Sequence, residues 1–141
     1  MKLDNSWDGL KRIANGDYVL DGDLIVEDRL EIDLNDRLVV YGSVISRESV
    51  IISTSLIADK GIEAGEGIKA GWGIKAGEGI KAGEGIEAGE GIKAGTFIHA
   101  ENRIIAGVSV YHTSQNCKKT IQCAELRRGE ICFGDLEIKS I

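Results

Sequence analysis

Two histidines, three cysteines and a run of Gly-x-Gly triplets are the residues whose types could carry chemistry. His99 or His112 could serve as a general base, which requires a group that orients the imidazole and a pocket that holds substrate. Neither has an evident orienting partner in the sequence around it. Cys117, Cys123 and Cys132 contain no C-x-x-C pair, and the cysteines and histidines lack metal-ligand spacing. An odd number of such cysteines reads as reduced thiols in a cytoplasmic protein. A phosphate-binding loop needs a strand, one glycine turn and a helix. Here the glycine triplets recur regularly and open no helix. The expectation is a protein without catalytic residues, cofactor site or metal site.

What the glycines do is set a period. GIEAGE, GIKAGW, GIKAGE, GIKAGE, GIEAGE and GIKAGT follow one another, placing Ile at 62, 68, 74, 80, 86, 92, 98 and 104 and Ala two residues after each. Apolar spacing of six is not helical, and a glycine pair in every six residues opposes a helix. In a short Ile-x-Ala strand the first and third side chains share one face and the middle one points away. Ile and Ala go in, Lys or Glu goes out, and Gly-x-Gly turns the corner. The register continues upstream without the glycine pairs through Leu38-Val39-Val40, Val44-Ile45-Ser46, Val50-Ile51-Ile52 and Leu56-Ile57-Ala58, giving twelve hexads from Leu38 to Ser109. Leu24-Ile25-Val26 and Leu30-Glu31-Ile32 share the spacing, with a two-residue slip near Leu34–Asp36.

Three hexads per coil predict an all-β, single-domain triangular β-helix (β-solenoid). Successive coils rise by about 4.8 Å, the strand spacing of a sheet, and neighbouring coils stabilise one another. Absence of proline, with 19 glycines, suits a backbone whose N–H groups enter ladders. The predicted divisions are an N-terminal cap over 1–17, the β-helix over 18–110 and a C-terminal β cap over 111–141. Within the first, Asp4-Asn5-Ser6 as N-cap, Trp7, Leu10 and Ile13 on one face and Gly16 as stop predict a short helix over residues 4–15. In the last, the period becomes five, at Ile121, Leu126, Ile131, Leu136 and Ile141. This tail resembles pentapeptide repeats, which implies a four-sided coil. The alternative is an ordinary strand pair.

Columns eighteen residues apart follow from three hexads per coil. One face carries Val39, Ile57, Lys75, Lys93 and Tyr111 outward. A second carries Ile45, Glu63, Lys81 and His99, and a third Ile51, Lys69, Glu87 and Ile105. Glu63 with Lys81 and Lys69 with Glu87 become cross-rung pairs of opposite charge. Val39, Ile45, Ile51 and Ile57 form an outward apolar collar within one coil, the candidate oligomer interface. Glu48, Glu66 and Glu84, followed by Asn102, line one edge. Trp72 stands at another as an exposed anchor. Glu48, Glu66, Glu84 and Trp72 are the candidate partner-binding edge.

The formal net charge of −6 argues against nucleic-acid binding, and no stretch is long and apolar enough to span a membrane. The stacked φ-x-φ triplets with glycine corners over 18–110 resemble the bactofilin-type polymer-forming proteins, bacterial cytoskeletal β-helices that join end to end. The resemblance implies a self-associating scaffold. Hexapeptide acyltransferases are also triangular six-residue β-helices. They rely on a His base and usually on loops that grip the acyl donor, and no insertion interrupts Leu38–Ser109. The leading reading is a non-enzymatic scaffold or interaction protein that forms homo-oligomers or filaments. One alternative is a small acidic inhibitor of phage or mobile-element origin, of anti-CRISPR or other anti-defence type, which binds a host protein complex, nucleic-acid mimics included. Another is an acyltransferase relative. If Ile80 faces inward, Ile80→Asp places an unpaired charge in the core. It should abolish the β circular dichroism signal. A variant that keeps its signal and melting point would show that Ile does not face the core.

Overall fold

The computed structural model describes residues 1–7, 9–107 and 120–139. They form a β-solenoid of about six turns with three flat faces. The first face stacks Leu24–Val26, Val44–Ser46, Ile62–Ala64, Ile80–Ala82 and the start of Phe97–Ala106. The second stacks Lys2–Asp4, Leu30–Asp33, Val50–Ile52, Ile68–Ala70, Ile86–Ala88 and the end of Phe97–Ala106. The third runs from Tyr18–Asp21 through Leu38–Tyr41, Leu56–Ala58, Ile74–Ala76, Ile92–Ala94 and Thr120–Cys123 to Asp135–Ile138. Along the repeat every Ile and Ala of the triads is buried, Ile80 and Ala82 completely so.

The register confirms the eighteen-residue coil. Val44 pairs with Ile62, Ile62 with Ile80 and Ile80 with Ile98, all parallel. Upstream, Tyr18 pairs with Leu38 and Leu24 with Val44, so that coil is two residues longer. The slip lies at Leu34–Asp36. Leu34 is buried there, and its backbone N–H and C=O both bond the Ser53 hydroxyl. Thr54 Oγ1 donates to the Asp36 carbonyl at 2.7 Å.

The two glycines of each corner are not equivalent. A Cβ at Gly65, Gly71, Gly77, Gly83 or Gly95 would collide with the carbonyl oxygen of the rung before it. At Gly61, Gly67 and Gly73 the nearest atom across the gap lies 3.4–3.5 Å away, an ordinary contact. Positive φ occurs only at Gly16, Gly22, Gly107, Gly129 and Gly134 among the described residues. Lack of space, not left-handed backbone, therefore selects glycine at these five positions, the first of each Gly-x-Gly corner or its equivalent.

The helix expected over residues 4–15 is absent, and no helix occurs among the described residues. A short segment with Gly9 at its centre cannot repay helix nucleation, while the first coil offers unpaired ladder groups. Lys2–Asp4 pairs with Glu31–Asp33 and buries Leu3 completely. Asp4 then accepts from the Ser6 N–H at 2.9 Å to start a turn. Lys11–Arg12 runs antiparallel to Tyr18–Val19, and Gly16 at φ 95° helps close the hairpin. Trp7 and Leu10 pack against the core as an apolar cover, whereas Ile13 is exposed. Asp17 fastens this cover, receiving both Arg37 Nε at 2.9 Å and Arg37 Nη2 at 2.8 Å. That guanidinium holds the Asp17 carboxyl below its usual range.

The period-five tail is three-sided, not four-sided. Leu126 stacks on Ile98, Ile131 on Ile104 and Leu136 on Ile121. Each side keeps its inward aliphatic residue and sheds one corner residue. Gly129 and Gly134 permit this with φ of 136° and 117°, a region that favours glycine. The strands extend the parallel faces and do not form a separate pair across them. No helix among the described residues is long and apolar enough to cross a membrane.

The corner geometry makes a comparison of two alanine variants informative. Gly83→Ala should lower stability by about 1–3 kcal/mol, the usual range for overpacking. Gly67→Ala should be neutral or raise it by about 0.4–1 kcal/mol through the unfolded chain. Equal losses in thermal melts would show that corner space is not the constraint.

Candidate functional site

Since the interior is filled by packed, mostly aliphatic side chains, what the molecule can present lies on its three faces, three edges and two ends. Each face has the outward column that alternation dictates. Ile45, Glu63, Lys81 and His99 are successive partners on the first face. Ile51, Lys69, Glu87 and Ile105 are successive on the second. Val39, Ile57, Lys75 and Lys93 are successive on the third. Gln122, not Tyr111, sits over Lys93. The chain takes 29 residues to regain the third face after Ile92 because Ile92 pairs with Ile121. Tyr111, His112 and Cys117 lie outside the described residues.

Val39, Ile45, Ile51 and Ile57 point outward, each half-buried. Ile25, directly below Ile45, is 60% exposed. It belongs to the same belt, and its middle position in Leu24-Ile25-Val26 is the signal that could have placed it there. Tyr41, at the corner entering the first face, is exposed as well. Glu63 and Lys81 are register partners, as are Lys69 and Glu87, yet neither pair closes to an ion pair. Their flexible charges stay in water, where such pairs contribute little.

The edges are ladders too. The N–H of Glu66 donates to the Glu48 carbonyl at 3.2 Å, Glu84 to Glu66 at 3.0 Å and Asn102 to Glu84 at 3.0 Å. The three carboxylates therefore stack as the spacing predicts. Trp72 is half-buried instead of exposed, sandwiched in its ladder between Thr54 and Glu90 at 3.1 and 2.8 Å. The remaining edge stacks Lys60, Glu78 and Thr96. One edge is acidic for three rungs, and the other two mix charge and polarity.

His99 does have an orienting carboxylate. Its Nε2 lies 2.7 Å from Glu101 Oε1, and the other oxygen of Glu101 lies 3.0 Å from Arg128 Nε. The missed signal is the His-x-Glu spacing, which puts both side chains on one side of a strand. Arg128 belongs to the last coil and sits above His99 in the ladder, with a register shift beside it. Glu101 thus joins two rungs. The hydrogen bond from His99 holds its carboxyl below the usual range, and Arg128 and Lys81 add to this. With its charge shared among cations, Glu101 acts as a clasp for the last coil. Cys123 and Cys132 are free thiols, the first buried and pushed up in pKa by that burial, the second exposed.

These features define the class: a β-solenoid of triangular cross-section with its chemistry confined to a patterned exterior. No family model, curated protein or solved structure matches the chain.

The clasp has a testable pH dependence. A carboxyl whose pKa is depressed by folding contributes stability above its unfolded pKa, and that contribution is lost as pH falls through the folded value. Glu101→Gln should speed amide exchange of residues 126–131 at neutral pH while leaving residues 62–82 unchanged. Wild type should approach the variant only in acid, below the usual carboxylate range. Identical exchange in the two proteins at neutral pH would remove the clasp.

Proposed function

We propose that the chain is a non-enzymatic β-solenoid scaffold that self-associates through its outward apolar belt. The observation that carries this reading is the ring formed by Ile25, Val39, Ile45, Ile51 and Ile57 on all three faces of adjacent coils. Outward strand positions in the next two coils, from Glu63 to Lys93, are Lys or Glu, so the belt is a local departure from the charged exterior beside it. Contiguous apolar surface of this kind suits a protein contact. The resemblance to bactofilin-type proteins leaves open a filament or a closed oligomer. The cover made by Trp7 and Leu10 at the N-terminal end supports the closed form.

The acidic-inhibitor alternative draws less support. The carboxylate edge ends at Asn102 after three rungs. Its rise of about 4.8 Å per rung along the solenoid axis differs from the 3.4 Å or so of helix axis per phosphate of one DNA strand. The His99–Glu101 pair supports an acyltransferase relative only weakly, because Arg128 also occupies Glu101.

Light scattering on a size-exclusion column tests the belt. Ile45→Lys and Ile51→Lys should each reduce the assembly mass without altering circular dichroism or the melting point. Unchanged mass in both would rule the belt out as the contact.

A further inference from the structure

The second face carries a pattern that matches itself when reversed. Its outward column runs Ile51, Lys69, Glu87 and Ile105 in successive rungs, with Glu31 before it and Phe133 after. The two opposite charges lie at the centre, and a half-buried isoleucine stands beyond each. The corner column beside it runs Arg29, Ser49, Gly67, Gly85, Arg103 and Glu130. Two glycines occupy its middle, and a shallow trough open to solvent lies along them between Ser49 and Arg103.

We infer that this face binds a second copy of itself about a two-fold axis parallel to its strands, so that the two solenoids run in opposite directions. The inference rests on the self-association reading and narrows it, giving the second-face part of the belt a partner and a register. Facing sheets stand about 10 Å apart. The rotation reverses the order of rungs and keeps each position along the strand. Ile51 then meets Ile105 of the twin, and Lys69 meets Glu87 of the twin, each twice. In the corner column Gly67 lies over Gly85 of the twin, where no side chain holds the sheets apart. Arg29 lies over Glu130 of the twin. At the flanks Glu31, whose carboxylate Arg29 Nε holds at 3.0 Å, faces Phe133 of the twin, so no like charges meet. Such a contact is isologous and closes at two copies.

Other arrangements of the same two faces fit less well. A two-fold axis along the solenoid sets Lys69 on Lys69 and Glu87 on Glu87. Sliding the antiparallel pairing by one rung sets either Lys69 or Glu87 on its own copy. Like charges so placed oppose association. A pairing centred on Ile51 does match charge, with Glu31 opposite Lys69 and Lys2 opposite Glu87. It leaves Ile105 uncovered, however, and sets Arg29 over Gly67 instead of Glu130.

The test uses the full chain carrying Ile45→Lys and Ile57→Lys, which breaks the belt on the other two faces. Light scattering should give two copies. Adding Lys69→Glu should reduce this to one copy. Adding Glu87→Lys to that variant should restore two, because the exchange re-forms both charge pairs in the proposed register and in none of the others. Adding Ile105→Lys alone, which lies outside the belt, should also give one copy. Circular dichroism and melting point should be retained throughout. Mixing supplies a second measurement. The chain with Lys69→Glu and the chain with Glu87→Lys should each be single alone and pair when combined, since one then carries two acids and the other two bases. A two-copy mass indifferent to Lys69→Glu or to Ile105→Lys, or an exchange that restores nothing, overturns the inference. A wild type that assembles while the starting variant stays single also overturns it and leaves the belt standing. A wild type that is itself a single copy overturns both.

Discussion

Everything in this molecule depends on one rung lying directly on the next. Parallel ladders hold successive strands at the sheet spacing of about 4.8 Å, and the corners must follow at the same pitch. At Gly65, Gly71, Gly77, Gly83 and Gly95 that pitch leaves no room for a Cβ between one corner and the carbonyl below. The glycines at these five positions and the straight outward columns follow from that approach. The interior follows too, since a column this narrow admits one large and one small residue per side. Ile and Ala meet that demand in every hexad of the repeat.

The coils poorer in corner glycines use hydroxyls at their other corners. Ser46 Oγ donates to the Asp28 carbonyl at 2.6 Å, and Ser53 and Thr54 donate to the Leu34 and Asp36 carbonyls. Ser55 Oγ accepts from the Gly73 N–H at 3.0 Å. These side chains tie irregular corners to the neighbouring rungs, so the backbone groups that the two-residue slip would strand have partners. The polar corners and the apolar belt occupy the same coils. The N-terminal half is thus held by specific contacts, whereas the glycine repeat is held by repetition.

Periodicity made the ladder legible. The six-residue phase, the slip at Leu34–Asp36, the outward columns and the Glu48–Glu66–Glu84 edge are all local consequences of strand alternation, and the register reproduces them. What was not legible depended on competition between local and long-range partners. Asp4-Asn5-Ser6 carries the chemistry of a helix cap, yet the edge of Leu30–Asp33 claims the chain first. The five-residue tail gives no sign of how many sides it closes. Ile98 and Ile104 beneath it decide that, because a new coil must sit on three existing faces. The His99–Glu101–Arg128 cluster was half visible, since Arg128 reaches Glu101 only through the stacking of a distant segment. The residue over Lys93 was not legible because hexad counting gives no sign that the ladder passes to Gln122 there.

A nearly perfect repeat also creates a problem of counting. Ile62, Ile80 and Ile98 offer the same side chain to the rung below, so a folding chain that skips a coil buries almost the same surface. Within the glycine hexads only the outward charge and the corner residues Trp72 and Thr96 distinguish one coil from the next. The irregular coil supplies the missing index. Leu34 fits only opposite Ser53, and Asp36 only opposite Thr54, so the first coils can be laid down in one phase. Each later coil then inherits its place from the one before it, as teeth on a rack follow from the first tooth engaged.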